Sequence, residues 1–389
     1  MKIVIVQNTL SAYNVPLFAE ISRNEGFELT IICQFSELNK TRYTESKDSA
    51  GFKLVVNPEG WLRRFIRNKT GIALPSAKLH RQIADLGPDA IAIDGLSSVG
   101  AALMLFWSRM WKKRPIIWWS LGAIPERLPN WKSKIGDMVQ RFCATRSAAV
   151  FAYGTHSREY FLGLGIDAGK IVVGHNTIDE KSVIKDVSNI DCKKLDRLKS
   201  HLSITNNPVA VYCGRLTKGK KVDLLLHSFA SLTSVGEGSD YRLVLIGDGP
   251  ERLELEKLAN ELGLNGKVSF VGEQHQNLSM YFMLGDFCVL PGLGGLAINH
   301  AFAHALPVVC GPADGTEVDL VRNGETGILL DELSVDTLSD SLSHLFGDSI
   351  LCKSMGKAAN KLITSDYSLS NYNKRFAATV ERVVGELSK

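Results

Sequence analysis

Two cations stand five positions apart in the stretch VYCGRLTKGKKVDLLLHSFASL: Arg215, just past an apolar strand, and Lys220, at the mouth of a helix. A guanidinium and an ammonium so placed can neutralise a diphosphate, and a helix N-terminus adds backbone N–H donors. The same residues also fit a solvated basic turn. Further along, PGLGGLAINHAFAHALPVV (291–309) runs a glycine-rich turn into an alanine-rich helix and then a short apolar strand. Such a turn usually holds an anion, yet this one carries no acid and no lysine. His300, on the helix, fits a hydrogen bond to a ligand or a satisfied interior histidine. His304, one turn on, fits a structural role.

The elements that must position these groups follow from periodicity. Short β-branched runs (KIVIVQ, ELTIICQ, KLVVNP, AIAID, PIIWW, AAVFAYG, KIVVGHN) alternate with helical stretches in the first half. The second half repeats the style in VAVYCGR, RLVLIGDGP, KVSFVGE, FCVLPG and PVVCGP. Continuous apolar runs of this kind fit parallel strands covered by helices on both faces. At 389 residues the chain is too long for one ordinary core. The reading is α/β: two doubly wound, Rossmann-like domains facing a central cleft. Their spans are 1–180 and 208–367, joined by a polar connector over 181–207, with a last helix over 368–389 packing back toward the first domain. Ligands in such sheets bind at the carboxyl ends of the strands. Asp94 and Ser120 end apolar strands there, with Gly122 two residues on.

Composition excludes several classes. Hydrophobic residues make up 45% and charged residues 22%, as in a globular protein. Seven cysteines lie scattered with no CxxC pair, which suits reduced thiols rather than a disulfide frame or a zinc site. MKIVIVQ is too short and too soon polar for a signal peptide, and no apolar run approaches the roughly 20 residues that span a bilayer. The first βα turn has no GxGxxG, and neither a P-loop nor a DxD pair occurs.

The ordered set GRLTKGKKVD, IGDGPE, VSFVG, GDFCVLPG, GLGGLAINHAFAHALPVV, DGTEV and NGETG, over about residues 208–335, resembles the retaining glycosyltransferases of family four, which have the two-domain GT-B fold. The first half resembles them more loosely, through its opening strand, PDAIAID and VVGHNTID. The resemblance implies a nucleotide-sugar donor held mainly by the second domain and a glycan acceptor held mainly by the first. It also implies transfer with retention and no metal or other cofactor. Arg215 and Lys220, with Gly214 in the same motif, fall on the positions that stabilise the leaving diphosphate, where preorganised cations act best. Amides of Gly294, Gly295 and Leu296 would face the diphosphate or sugar. Gly247 and Gly249 would shape a neighbouring turn, and the backbone from Gly272 through Gln274 and His275 would touch the base. Glu317 keeps the family's later glutamate.

This chain departs from the pattern at four places. The two glutamates of the family's glycine turn are replaced by Gly292 and His300, its histidine near the reacting carbon by Leu121, and a glycine by Lys221. A changed donor sugar, a shifted acceptor pose or lost catalysis could each follow. Two rival functions therefore stand beside the transferase: a catalytically weak nucleotide-sugar-binding partner protein and a GT-B sugar-nucleotide epimerase.

Charge and tryptophan are unevenly spread. Residues 60–146 hold 15 basic and 5 acidic side chains, and all six tryptophans lie between 61 and 131. GWLRRFIRNKTG and FWSRMWKKRPIIWW interleave the two kinds, which fits docking on an anionic membrane surface through residues 60–119. No nucleic-acid recognition motif accompanies the basic stretch. A lipid-carried acceptor would suit this location, a cytoplasmic protein peripheral on the inner face of the membrane. A solvated basic face with the tryptophans in the core remains open at this point.

Overall fold

Apolar runs long enough to bury both faces of a strand become two parallel sheets. The computed structural model describes all residues except 12, 35–50, 58, 71–73, 96–97, 108–113, 124–130, 205, 234–239 and 388–389. The chain divides into two units, Met1–Ile178 with Leu369–Lys389, and Asp179–Ser368.

The first unit holds seven parallel strands: β1 (Lys2–Gln7), β2 (Glu28–Cys33), β3 (Lys53–Val56), β4 (Ala90–Asp94), β5 (Ile116–Ser120), β6 (Ala149–Ala152) and β7 (Ile171–Val173). Their order is β3-β2-β1-β4-β5-β6-β7, so the winding reverses between β1 and β4. Alternate residues serve opposite faces. Ile3, Ile5, Ile117 and Trp119 join one core with Phe18, while Val4, Val6, Ile116 and Trp118 join the other with Ile83 and Phe161. The first core is closed by the helix Leu369–Leu387, which contributes Tyr372, Phe376, Val380 and Val383.

The second unit holds β8 (Val209–Cys213), β9 (Arg242–Ile246), β10 (Val268–Gly272), β11 (Phe287–Leu290), β12 (Val308–Cys310) and β13 (Gly327–Leu329), in the order β10-β9-β8-β11-β12-β13. Sequence periodicity misses β13, which is only three residues long and opens on glycine. Gly327 is what lets it pair, because a Cβ there would lie 2.1 Å from the carbonyl oxygen of Val308.

The stretch expected to be a plain connector forms two helices, Glu180–Ser188 and Cys192–His201, and both belong to the second unit. Asp179 and Asp191 cap them through the amides of Ser182 (3.1 Å) and Lys193 (2.9 Å). The first is anchored by buried Glu180 and Val183. The second buries no residue, which is why the stretch reads as a solvated link.

Candidate active site

In the second sheet the winding reverses between β8 and β11. Loops that leave the carboxyl ends of two such strands turn to opposite faces and open a crevice. Glycine controls how these loops nest. Gly247 has φ +137°, and a Cβ on it would lie 2.0 Å from the Gly214 carbonyl oxygen. A Cβ on Gly249 would lie 2.2 Å from that of Leu216. The bare backbones instead pair: Gly214 N–H donates to Ile246 O at 2.9 Å, Leu216 N–H to Asp248 O at 2.9 Å, and Gly247 N–H to Gly272 O at 2.8 Å. Gly272 itself sits at φ +71°.

Within this frame Arg215 is exposed and Lys220 is half-buried. The Lys220 ammonium donates to the carbonyl oxygen of Leu293, in the turn after β11. Burial pushes its pKa down, and Asp314, in the loop after β12, opposes that shift. Lys221, which stands where the family has glycine, takes the left-handed conformation at φ 52°. A side chain there costs about 1–2 kcal/mol, so the backbone keeps the glycine's shape without the glycine.

The turn after β11 is pressed onto the β8 loop. Leu293 N–H donates to Gly219 O at 3.2 Å. A Cβ on Gly292 would lie 2.3 Å from Gly219 O and 2.8 Å from Lys220 Cα. The missing glutamate at 292 is therefore more than a lost functional group, because backbone occupies the place where its side chain would begin. Gly295 has φ +57°, and open space where a Cβ would stand. The amides of Gly294, Gly295 and Leu296 find no acceptor among the described residues. The helix Ala297–Ala303 follows.

His300 is half-exposed at the residue level, but its Nδ1 is buried with no partner among the described residues. Burial pushes its pKa down to about 4. His304 is held more firmly. Its ring lies 4.6 Å from that of Phe282 with 11° between planes, and its Nδ1 is 2.7 Å from His300 O. Its pKa also falls to about 4 through burial.

Glu317 is only 2% exposed, and its two carboxylate oxygens accept from Ala313 N–H and Gly315 N–H, each at 2.9 Å. It shapes the loop that carries Asp314. Asp314 was not singled out from the sequence, although DGT after a strand is a loop signal. On the far side of β8, Gln274 Nε2 donates to Val271 O at 2.7 Å and His275 Nε2 lies 2.9 Å from Glu273. These side chains are engaged locally.

In the first unit, Asp94 and Ser120 end β4 and β5 as expected. Ser120 is fully buried, however. Its hydroxyl accepts from Gly122 N–H at 3.0 Å and donates to Gln140 Oε1 at 3.4 Å. Gly122 has φ +79°, and a Cβ there would lie 2.5 Å from the Tyr160 ring. Both shape the turn after β5. Asp94 is half-buried, and its charge adds to the burial that pushes the Tyr153 phenol up.

The expectation for residues 60–119 divides. Segment 108–113 lies outside the described residues. In the helix Trp61–Thr70, Arg63 donates to Leu74 O at 2.8 Å and to Gln34 O at 3.0 Å, and Arg67 grips Glu59 with both nitrogens at 3.0 and 2.9 Å. Arg64 lies 3.7 Å from the same carboxylate. Arg63 and Arg67 are thus engaged within the protein, while the Arg64 side chain is 61% exposed. Among the tryptophans, Trp118 and Trp119 are core, while Trp61, Trp107 and Trp131 are 79%, 92% and 68% exposed.

Residues 194–362 match the family described as glycosyl transferases group 1, and residues 15–177 match the glycosyl transferase 4-like domain. The chain is similar to the alpha-D-kanosaminyltransferase of Streptomyces kanamyceticus, 28% identical over 190 residues that cover 48% of each chain. It is 28% identical over 181 residues to a GDP-mannose-dependent alpha-(1-6)-phosphatidylinositol monomannoside mannosyltransferase of Mycobacterium tuberculosis, covering 44% of this chain and 46% of that one. These matches span about half of the curated relatives' length. The solved structure of Anabaena HepE in complex with UDP and glucose superposes with a TM-score of 0.75 at 18% identity, over 98% of this chain and 99% of that one. That likeness establishes the fold.

Proposed function

We propose that this chain, which belongs to the GT-B-fold glycosyltransferases of family four, moves a sugar from a nucleotide-sugar donor to a glycan acceptor carried on a lipid. The donor binds on the second unit, at the β8–β11 switch point. The carrying observation is the joint placement of Arg215, Lys220 and the 292–296 turn. One cation is exposed, the other is half-buried and tied to the turn, and glycine backbones close the floor.

In the reaction, the bond between the sugar's anomeric carbon and the diphosphate oxygen breaks, and a bond from that carbon to the acceptor oxygen forms. The acceptor hydroxyl approaches from the side the diphosphate leaves, so configuration is retained, and its proton passes to the departing phosphate. Negative charge grows on the diphosphate as it departs. Arg215 and Lys220 meet that charge without needing a metal ion, and because they are already in place no reorganisation is needed. Burial of Lys220 strengthens its field, since the surrounding dielectric is low. The kanosaminyl and mannosyl transfers named for the relatives support this reaction class, and the phosphatidylinositol monomannoside in the name of one of them supports a membrane-borne substrate. On this reading the protein works at the inner membrane surface.

Calorimetric titration with UDP-, GDP-, ADP- and dTDP-sugars, followed by assay of nucleoside diphosphate release, tests the reading. One donor should bind and turn over slowly in water and faster with acceptor. Failure of every donor to bind would overturn the transferase. Binding without any release would instead favour the partner-protein reading raised by Gly292, His300 and Leu121.

A further inference from the structure

The helix Trp131–Arg146 carries a stripe of large apolar residues that faces outward. Trp131, Ile135, Met138 and Phe142 are spaced at i, i+4, i+7 and i+11, which places them on one side of a helix. They are 68%, 48%, 70% and 37% exposed. The opposite side of the helix sends Ser133, Gln140, Cys143 and Ala144 inward. Leu103, on the neighbouring helix Val99–Trp107, is 41% exposed and extends the stripe. Together Leu103, Met138 and Phe142 floor an open hollow of about 560 Å³ whose lip carries Arg141 and Arg146. A contiguous apolar face of this kind is unusual on a monomer surface unless something covers it.

Charge selects the occupant. The exposed charged side chains on the described face are Lys134, Arg141 and Arg146, all basic. Arg146 lies over the Phe142 ring, 3.8 Å from its centre, so a cation and an aromatic are presented together. The one acid of the helix, Asp137, is half-buried and accepts from the Tyr160 hydroxyl at 2.7 Å. The helix Val99–Trp107 has no charged residue. Apolar side chains with a tryptophan, ringed by cations without a free acid, complement a surface that is negative outside and hydrocarbon within. A protein partner, or a second copy of this chain, would more often be met by charges of both signs.

We propose that this face, Leu103 with Trp131, Ile135, Met138 and Phe142, rimmed by Arg141 and Arg146, docks on an anionic phospholipid bilayer. It refines the membrane location in the function proposed above, and moves the contact from the arginines of the helix Trp61–Thr70 to a different helix. Docking would be interfacial, since no described helix is long and apolar enough to cross a membrane.

The test uses the full chain and vesicles of phosphatidylglycerol with phosphatidylcholine, compared with phosphatidylcholine alone. Wild type should co-sediment with the anionic vesicles and be released by salt. Met138→Glu with Phe142→Glu, and separately Arg141→Glu with Arg146→Glu, should each weaken vesicle binding about tenfold or more, with an unchanged thermal melt. Should either variant misfold, quenching by brominated-chain lipid serves instead: wild-type fluorescence should be quenched, and Trp131→Phe should remove most of that quenching. Variants that bind vesicles like wild type, or wild-type fluorescence untouched by brominated lipid, would overturn the proposal. So would a vesicle-free dimer that the same variants dissociate. Nucleotide-sugar binding, titrated on the same preparations, separates the two ideas. Vesicle binding without donor binding sinks only the transferase, and donor binding without vesicle binding sinks only this face.

Discussion

Lys220 and Leu293 lie 73 positions apart, yet the ammonium of one hydrogen-bonds the carbonyl of the other. This contact joins the two loops that flank the switch point. In the proposed reaction Lys220 would therefore have two jobs, holding the turn and meeting the diphosphate, whereas Arg215, which is exposed, would have only the second.

The two cations should therefore fail differently. Arg215→Ala should lower turnover by about 100-fold, the scale of losing one preorganised charge contact, and leave the melting temperature unchanged. Lys220→Ala should lower turnover at least as much, and should also loosen the turn, read as faster amide exchange at Leu293 and Gly294. Equal turnover in wild type and both variants would refute the assignment.

Gly292 tests the packing of that turn. Gly292→Ala places a methyl group 2.3 Å from Gly219 O. It should destabilise the protein by about 1–3 kcal/mol, the cost of overpacking, and weaken donor binding. Gly292→Glu, which would restore the family's acid, should lose donor affinity and not gain it. A calorimetric affinity equal to or better than wild type in the glutamate variant would show that the loop yields.

The buried histidines make stability depend on pH. His300 and His304 have folded-state pKa values near 4, below the ordinary 6.5, because burial penalises the imidazolium. The unfolded chain takes up these protons first as pH falls. Their contribution is complete above about 6.5 and is lost progressively as pH drops toward 4. Thermal melts across that window should fall steeply in wild type and less so in the variant His300→Asn with His304→Gln. Parallel curves would mean that the two rings titrate normally.

Glu317 should prove structural. Glu317→Gln swaps one accepting oxygen for an N–H₂ that faces a backbone N–H, leaving a buried clash of donors. The expected loss is about 1–3 kcal/mol, with the loop carrying Asp314 disordered and turnover reduced as a consequence. A variant as stable as wild type by chemical denaturation would return Glu317 to the pool of ligand contacts.

Local pattern made twelve of the thirteen strands among the described residues legible in the sequence, together with the glycine turns and the two cations. Each of those rests on a few neighbouring residues: an apolar run, a GDG, a GRL with lysine five on. The missed strand β13 is short, and it is licensed by Gly327 fitting against Val308, a partner 19 positions away. What long-range packing decided could not be read locally. Ser120 looked available at a strand end, but Gln140 and Gly122 take its hydroxyl. Arg63 and Arg67 looked free on a basic helix, but Leu74, Gln34 and Glu59 hold them. Met138 and Phe142 sat in an unremarked helix until the fold turned Cys143 and Ala144 inward and left them outside. The sequence by itself determined most of the strands, and the turns and cations whose chemistry suits a diphosphate, because strand propensity and turn chemistry act over a few residues. Only the tertiary structure decided which of those side chains are spent on the protein, because a hydrogen bond or a burial depends on what the chain brings alongside from far away.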